Sequence, residues 1–181
     1  MRLRKRQAEN RCPLDLGGFA PLREKISRKG AKPPSLNHYI YIMKIAIING
    51  PNLNLLGTRE PEVYGSKTFD QFFAELKKKY QEVELSYFQS NVEGELINEL
   101  QRVGLSCDGI ILNPGGYTHT SVAIGDAIAA IKTPVVEVHI SNVHAREEFR
   151  KISHVSAKSK GTIMGLGLKG YELALKYFID K

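Results

Sequence analysis

Short runs of apolar residues alternate with segments of helical periodicity from Met43 to the end of the chain. A continuous apolar run such as residues 45–48 is typical of a strand that is buried on both faces. We predict five strands, at about residues 44–48, 83–88, 109–112, 134–140 and 162–164. Apolar residues three or four positions apart follow each run and predict five helices, at about residues 69–79, 93–103, 118–131, 145–152 and 170–179.

Residues at the ends of these segments support the assignment. Thr68 can cap the first helix, and Gly104 follows the second, as glycine often does at a helix end. In the third helix, residues at helical spacing should face the core: Val122, Ile124, Ala127, Ile128 and Ile131. Alternating strands and helices predict an α/β fold, because parallel neighbours need crossover connections. We expect a flavodoxin-like, doubly wound sandwich: a five-stranded parallel sheet, order 2-1-3-4-5, with helices on both faces.

Polar residues collect after three of the predicted strands. Asn49, Asn52, Arg59 and Tyr64 follow strand one, Asn113 and His119 follow strand three, and His139, Ser141 and Asn142 follow strand four. In an open parallel sheet, ligands bind outside the carboxyl ends of the strands, where the strand order reverses. Here that point lies between strands one and three, so we expect three loops to form one crevice.

Charge is distributed unevenly along the chain. Residues 1–42 contain ten Lys/Arg and three Asp/Glu, whereas residues 43–181 contain sixteen of each, so the formal net charge of +7 belongs to the first part. Residues 1–42 also lack an apolar core and steady periodicity, which predicts a basic, disordered extension before a single α/β domain at 43–181. The extension could be a transit peptide or a nucleic-acid-binding arm, or translation could begin at Met43. The domain itself shows no charge excess that would indicate nucleic acid.

Several functional classes find little support. No apolar run is long enough to span a membrane, and the two cysteines match no metal or redox spacing, which fits a cytoplasmic protein. The G-x-G-x-x-G pattern at 165–170 lies in the last unit, with no later strand, so we interpret it as a tight turn with close helix packing. His139 and His144 lack a clear third ligand, and no metal site is expected.

Arg59 and Tyr64 lie on a glycine-punctuated loop and suit proton transfer. A phenol that titrates near pH 10 is a poor base at neutral pH, but a neighbouring guanidinium can lower its pKa by roughly 1–3 units. Alternatively, Arg59 could form a surface ion pair with Glu60 or Glu62 while Tyr64 packs on the domain.

His139 could act as an acid, with Glu137 two residues earlier on the same strand face to orient it, although single histidines are often merely hydrogen-bonded. Backbone N–H groups directly after His139 could hold a carboxylate. Arg150 could supply positive charge to the crevice or form a surface pair with Glu147.

Eight blocks of residues occur in a familiar order from Met43 to the C-terminus. They lie at 49–57, 59–61, 64–65, 89–94, 112–121, 137–142, 146–150 and 165–171, and include Asn-Gly-Pro-Asn-Leu-Asn-Leu-Leu-Gly, Leu-Asn-Pro-Gly-Gly and Glu-Val-His-Ile-Ser-Asn. Together they closely resemble the motifs of type II 3-dehydroquinate dehydratases.

The resemblance implies loss of water from 3-dehydroquinate to give 3-dehydroshikimate through an enolate-like intermediate. This reaction is a step of aromatic amino-acid biosynthesis, and the same reaction also serves quinate breakdown. It implies Tyr64 as the base, Arg59 as its electrostatic partner and His139 as the general acid. It implies supporting and substrate-binding roles for Asn52, Glu137, Asn113, His119, Asp126, Ile140, Ser141 and Arg150.

The resemblance also implies that no metal or organic cofactor takes part. Family members form dodecamers built from trimers, in which Asp126 would reach the active site of a neighbouring subunit. Two rival hypotheses remain open to experiment. A flavodoxin-like module without catalysis would retain a flavin or nucleotide, and a tail that binds nucleic acid would show salt-sensitive binding lost with residues 1–42.

Overall fold

Five β-strands and four α-helices make up the part of the chain that the computed structural model describes, residues 41–57 and 67–180. The strands are β1 Met43–Asn49, β2 Val83–Gln89, β3 Gly109–Asn113, β4 Val135–His139 and β5 Gly161–Met164. The helices are α1 Phe69–Lys79, α2 Glu93–Val103, α3 Val122–Ala130 and α4 Lys169–Ile179. Within these two ranges, no helix is both long and apolar enough to cross a membrane.

The five strands form one parallel sheet in the order β2-β1-β3-β4-β5. This order confirms the predicted topology. The chain passes from β1 outward to β2 and then returns to the other side of β1 with β3. Asn49 and Asn113 are register partners at the carboxyl ends of β1 and β3. The strand order therefore reverses where the sequence predicted, between β1 and β3.

Successive side chains of β1 enter two separate cores, one on each face of the sheet. Ile45 and Ile47 pack with α1 and α4, whereas Ala46 and Ile48 pack with α2 and α3. All four residues are almost completely buried. Helices thus cover both faces, as predicted, and burial on both faces explains why the strands have continuous apolar sequences.

The helix predicted over residues 118–131 begins later than expected. A 3₁₀ turn at Gly115–His119 comes first, and Ser121 caps α3 by accepting a hydrogen bond from the Ile124 N–H at 2.9 Å. Val122 was expected to face the core and is instead 58% exposed. The outward side of α3 also carries Asp126. The chain therefore presents an apolar helix surface with one carboxylate on it.

The helix predicted over residues 145–152 is absent. Two 3₁₀ turns, Val143–Ala145 and Glu148–Lys151, occupy this region instead. The apolar residues Phe149 and Ile152 are both exposed. Without a buried apolar face, a segment this short has no tertiary packing to stabilise an α-helix.

A buried carboxylate joins the end of α1 to the start of α4. Glu172 accepts hydrogen bonds from Lys79 at 2.6 Å, from Lys169 at 2.6 Å and from the Tyr80 hydroxyl at 2.8 Å. The hydrogen bonds from Lys169 and Lys79 hold the pKa of Glu172 at about 2, far below its usual value. Burial and this carboxylate raise the pKa of Tyr80 to about 12. The cluster therefore holds the two helices of one face together.

The glycine pattern between β5 and α4 makes a tight turn, as predicted. Gly165 and Gly167 have φ angles of 81° and 59°, in the region that side chains disfavour. A Cβ on Gly170 would lie 3.2 Å from Val138 Cγ1. These glycines serve the turn and the close packing of α4 on β4.

Candidate active site

A cavity of about 270 Å³ lies outside the carboxyl ends of β1, β3 and β4. The loop after β1 contributes Pro51, Asn52, Leu53, Leu55 and Leu56, and β3 and its loop contribute Asn113, Gly115, Gly116 and His119. From β4 onward come His139, Ile140, Ser141, Val143, Arg146 and Arg150. Residues of three separate loops therefore line one shared cavity.

The loops after β1 and β3 approach each other closely enough to require glycine. The Gly50 N–H donates to the Asn113 carbonyl oxygen at 2.7 Å. A Cβ on Gly50 would lie 2.5 Å from the Pro114 carbonyl oxygen, which is too close for any side chain. Gly115, with a φ of 59°, packs against Pro51 from the other loop. These contacts fix the spacing between the two walls of the cavity.

Asn52 holds an unusual backbone conformation at the cavity wall. Its φ of 66° is left-handed, which asparagine tolerates better than most residues. Its N–H donates to the Asn91 side-chain oxygen at 3.0 Å, and the Tyr117 hydroxyl donates to the Asn91 carbonyl oxygen at 2.9 Å. The loop after β2 thus supports the loop after β1 from behind.

Glu137 is fully buried in β4 and accepts four hydrogen bonds. Oε1 accepts from Thr118 at 2.5 Å and from His139 Nε2 at 2.8 Å, and Oε2 accepts from Ser156 and, at 3.2 Å, from Thr162. Burial alone would raise the pKa of Glu137, but these hydrogen bonds, first of all that from His139, outweigh burial and lower it. The carboxylate is therefore ionised.

An ionised Glu137 determines how its neighbours are protonated. A carboxylate only accepts, so His139 must carry a proton on Nε2 and Thr118 must donate its hydroxyl proton. The Ser153 hydroxyl then donates to Thr118 at 2.8 Å, while Ser153 itself accepts from backbone N–H groups at 155 and 156. His139 Nδ1 makes no hydrogen bond within the described ranges. That nitrogen remains available to a ligand in the cavity.

His119 and Arg150 occupy the side of the cavity formed by residues 147–152. His119 Nδ1 lies 2.7 Å from the Ile152 carbonyl oxygen, which can only accept, so the neutral ring has its acceptor at Nε2. Arg150 Nε lies 2.7 Å from a Glu147 carboxylate oxygen, and its guanidinium lies 4.9 Å from the centre of the Phe149 ring. Both roles considered for Arg150 are therefore combined, since it pairs with Glu147 and also lines the cavity.

A second cavity of about 360 Å³ adjoins the first, and His119, His139 and Arg150 line both. Its wall includes the Ser156 and Thr162 residues that donate to Glu137. Two further titratable side chains lie along it, His144 and Lys151. His139 therefore borders both a ligand-sized space and a second cavity, and Glu137 lies behind it.

Most of the residues suggested by the sequence come together here: Asn52, Asn113, His119, His139, Ile140, Ser141 and Arg150 line the first cavity, and Glu137 lies behind His139. Asp126 does not line it. Arg59 and Tyr64 lie outside the described residues, as do residues 1–40 of the predicted extension. No cluster of three or more His, Cys, Asp or Glu within 41–57 and 67–180 could hold a metal ion.

Sequence reasoning gave no role to several residues that the structure brings to the site. Arg146 lines the cavity although only Arg150 of the same block was assigned a role. Thr118, Ser156 and Thr162 surround Glu137, and Tyr171 contacts Asn113. The family-like sequence blocks include Arg146, Thr118 and Tyr171, so membership of a block could have indicated these three residues. Ser156 and Thr162 lie outside every block, and the sequence contained no signal for them.

Comparison with known proteins identifies the family. The model of the family "Dehydroquinase class II" matches residues 43–179. The 3-dehydroquinate dehydratase of Fusobacterium nucleatum subsp. nucleatum is 53% identical over 143 residues, which are 76% of this chain and 97% of that protein. That of Polynucleobacter asymbioticus is 55% identical over 140 residues, 76% of this chain and 94% of that protein.

Solved structures agree with this assignment. The type II dehydroquinase from Propionibacterium acnes superimposes with a TM-score of 0.73 and 41% identity, covering 76% of this chain and 97% of that one. The type II dehydroquinase from Butyrivibrio crossotus gives a TM-score of 0.72 and 45% identity, with the same coverage. The family that the sequence motifs suggested is thereby confirmed: the chain belongs to the class II dehydroquinases.

Proposed function

We propose that this protein dehydrates 3-dehydroquinate to 3-dehydroshikimate in the shikimate pathway, which supplies aromatic amino acids. The family match over residues 43–179 carries the proposal. The cavity supports it, because its size suits a small polar molecule and because His139, backed by the ionised Glu137, is a suitable proton donor.

The reaction needs one base and one acid. Tyr64, as phenolate, removes a proton from the carbon beside the ketone, and Arg59 lowers the pKa of Tyr64 and stabilises the enolate-like intermediate. The carbon–oxygen bond to the leaving hydroxyl then breaks, and His139 protonates that hydroxyl to release water. The roles of Arg59 and Tyr64 rest on their position in the family motifs. Because each step is a proton transfer that side chains can perform, we propose that no metal or organic cofactor takes part.

The remaining residues bind and orient the substrate. The backbone N–H groups of Ile140 and Ser141 hold its carboxylate, and His119 and Arg150 hold its ring hydroxyls. His119 is suited to this because its Nδ1 faces the Ile152 carbonyl oxygen, which leaves Nε2 for the substrate. Asn113 donates to the oxygen on which negative charge develops. Asn52, supported by Asn91, maintains the loop after β1.

An oligomer completes the site in this proposal. The outward side of α3 is apolar apart from Asp126, and such a surface is typical of a subunit interface. Asp126 does not line the cavity of its own chain, which fits a role in a neighbouring subunit. We propose the dodecamer of trimers that the family resemblance implies, acting in the cytoplasm. Residues 43–181 form the catalytic domain in this proposal, and residues 1–42 a basic extension that catalysis does not need.

The test is an ultraviolet assay for the conjugated product, with a chelator present, on the full chain and on a chain that begins at Met43. Equal turnover by both is expected. Tyr64→Phe should lower kcat by about 10²–10⁴-fold, the usual contribution of a general base, with little change in thermal stability. Tyr177→Phe, a phenol at the far end of α4, is the control. Near-normal kcat in Tyr64→Phe would remove Tyr64 from the mechanism, and absence of turnover by the parent would remove the function.

A further inference from the structure

The Asn113 side chain has a defined orientation. Its Oδ1 accepts a hydrogen bond from the Gly115 N–H at 3.2 Å. Because a backbone N–H can only donate, the atom facing Gly115 must be the amide oxygen, and the amide nitrogen Nδ2 must point the other way. Nδ2 lies 2.8 Å from the Tyr171 hydroxyl. One of its two N–H groups is therefore donated to Tyr171, and one is left for the cavity that Asn113 lines.

The orientation of the Asn113 amide also determines how the Tyr171 hydroxyl forms its hydrogen bonds. It accepts from Asn113 and donates its only proton to the Asn49 side-chain oxygen at 2.8 Å. Burial raises the pKa of Tyr171, so the hydroxyl keeps that proton. The donor and the acceptor of each hydrogen bond are therefore defined. The two hydrogen bonds join the ends of β1 and β3 to the first turn of α4.

The surroundings of Tyr171 hold its ring in place. The side chain is completely buried, and its ring lies 5.1 Å from that of Phe69 and 6.0 Å from that of Phe72, centre to centre. Asn49 is also completely buried, and its Nδ2 has no partner within the described ranges. Loss of the Tyr171 hydroxyl would leave one Asn113 N–H and the Asn49 side-chain oxygen without this partner. The packing around the ring therefore holds the Tyr171 hydroxyl in one position behind the cavity.

We propose that Tyr171 is a positioning residue for the dehydration, whose buried hydroxyl fixes the Asn113 amide so that the free N–H meets the oxygen on which negative charge develops. This rests on the function proposed above. Tyr171 touches no substrate and acts only through Asn113. Without its hydroxyl, the Asn113 amide can turn away from the position in which it donates to the intermediate.

Tyr171→Phe is the informative variant, because it removes one oxygen and keeps the ring packing. We expect kcat to fall by about tenfold while KM changes little, since the lost interaction strengthens only as charge develops. The loss should be smaller than the roughly 10²–10³-fold typical of deleting an oxyanion donor outright. Steady-state kinetics with 3-dehydroquinate measures both constants, and thermal unfolding shows how much stability is lost.

Tyr80→Phe is the matched structural control. Tyr80 is also buried, and its hydroxyl also makes a 2.8 Å hydrogen bond to a residue of α4, but that bond lies away from the cavity. Tyr80→Phe should lower the melting temperature by a similar amount with kcat unchanged. An equal fall of kcat in both variants would make the effect of Tyr171 a general consequence of instability and overturn the proposal.

A double-mutant cycle with Asn113→Ala separates positioning from direct action. If Tyr171 acts through Asn113, adding Tyr171→Phe to Asn113→Ala should produce no further loss of kcat. Independent losses that multiply would contradict the proposal, as would a normal kcat in Tyr171→Phe alone. If the parent enzyme is active and Tyr171→Phe has the same kcat, only the inference about Tyr171 is wrong. If the parent enzyme shows no turnover, the proposed function is wrong as well.

Discussion

Every acceptor position of the Glu137 carboxylate is filled by a donor. Three of the four donors are hydroxyl groups, from Thr118, Ser156 and Thr162, and the fourth is His139. Four hydrogen bonds to the two carboxylate oxygens stabilise the charged form of Glu137 over the neutral form. An ionised Glu137 in turn accepts the Nε2 proton of His139, which leaves Nδ1 as the ring nitrogen available to the substrate.

The hydroxyl of Ser156 offers a test at this scale. Its removal in Ser156→Ala should raise the pKa of Glu137, so that acidification protonates the carboxylate earlier. In the parent, the lowered pKa keeps Glu137 ionised down to acid pH. In the variant, activity that needs the carboxylate anion should therefore be lost at a higher pH when the solution is acidified. We expect the acid limb of the kcat profile to move up by roughly one pH unit, from the strength of hydrogen bonds to charged groups.

Ser159→Ala is the control, because the Ser159 hydroxyl in the same segment donates to the Val155 carbonyl oxygen and not to Glu137. An unchanged acid limb in Ser156→Ala would show that this hydroxyl does not maintain the anion.

Residue-scale predictions succeeded where one element contains both partners. Strand alternation put Glu137 and His139 on one face, and the structure joins them at 2.8 Å. It could not indicate Ser156 or Thr162, because they reach Glu137 from segments whose approach depends on the whole fold. Spacing likewise left Arg150 undecided between two roles, and only the three-dimensional arrangement shows that one guanidinium contacts Glu147 and the cavity together.

At the scale of elements, α1 and α4 are joined by Glu172 and its three donors. The folded pKa of Glu172, about 2, is below its unfolded value, so its contribution to stability is complete above pH of about 4.5. It is then lost as the pH falls toward 2. Both lysine partners are exposed, so solvent screening limits the contribution to about 1–2 kcal/mol.

Glu172→Gln should therefore be less stable than the parent at pH 7, with a difference that shrinks between pH 4.5 and 2. Urea unfolding at several pH values measures the free energy of unfolding for both proteins. Glu75→Gln, which removes an exposed pair with Lys67, should have little effect at any pH. A constant difference between Glu172→Gln and the parent from pH 7 to 2 would assign the effect to packing and not to charge.

The elements that have a buried apolar face are present as predicted, although α3 begins at Val122 and not near Thr118, whereas the helix predicted without such a face is absent. Thr68 and Gln71 form the capping interaction at the start of α1, consistent with the sequence signal. Residues 145–152 have helical spacing, but their apolar side chains find no core and the chain forms 3₁₀ turns. Periodicity shows which residues could share a face, but it does not show whether that face is covered.

For the whole molecule, the parallel arrangement of the strands followed from the crossover connection. The sequence does not state the strand order; once the flavodoxin-like order was chosen, the switch point gave the position of the cavity. The sequence did not predict what binds to the exposed surfaces, because a single chain does not show which surface another subunit covers. The outward side of α3 is the clearest such surface, and the proposed dodecamer gives it a function.

Ala129→Glu tests that proposal by placing a charge on this surface. We expect light scattering to give a dodecamer for the parent and a smaller particle for the variant, because burying an unpaired carboxylate opposes assembly. Turnover should fall with particle size, since Asp126 would no longer reach a neighbouring site. Gln101→Glu adds the same charge to the exposed side of α2 and should leave both unchanged. A full-sized, active Ala129→Glu protein would exclude this surface as the interface.

The hydrogen bond between Gly50 and Asn113 joins loops that are distant along the chain. Between these loops lie α1, β2 and α2, so the pairing of β3 with β1 closes a long segment of chain. Closing so long a loop costs conformational entropy, and a fold that depends on such non-local contacts folds more slowly. The cavity therefore cannot exist in a partly folded chain that lacks β3. Substrate should bind only to the completed sheet, and by mass action it should protect the newly made protein against unfolding and proteolysis.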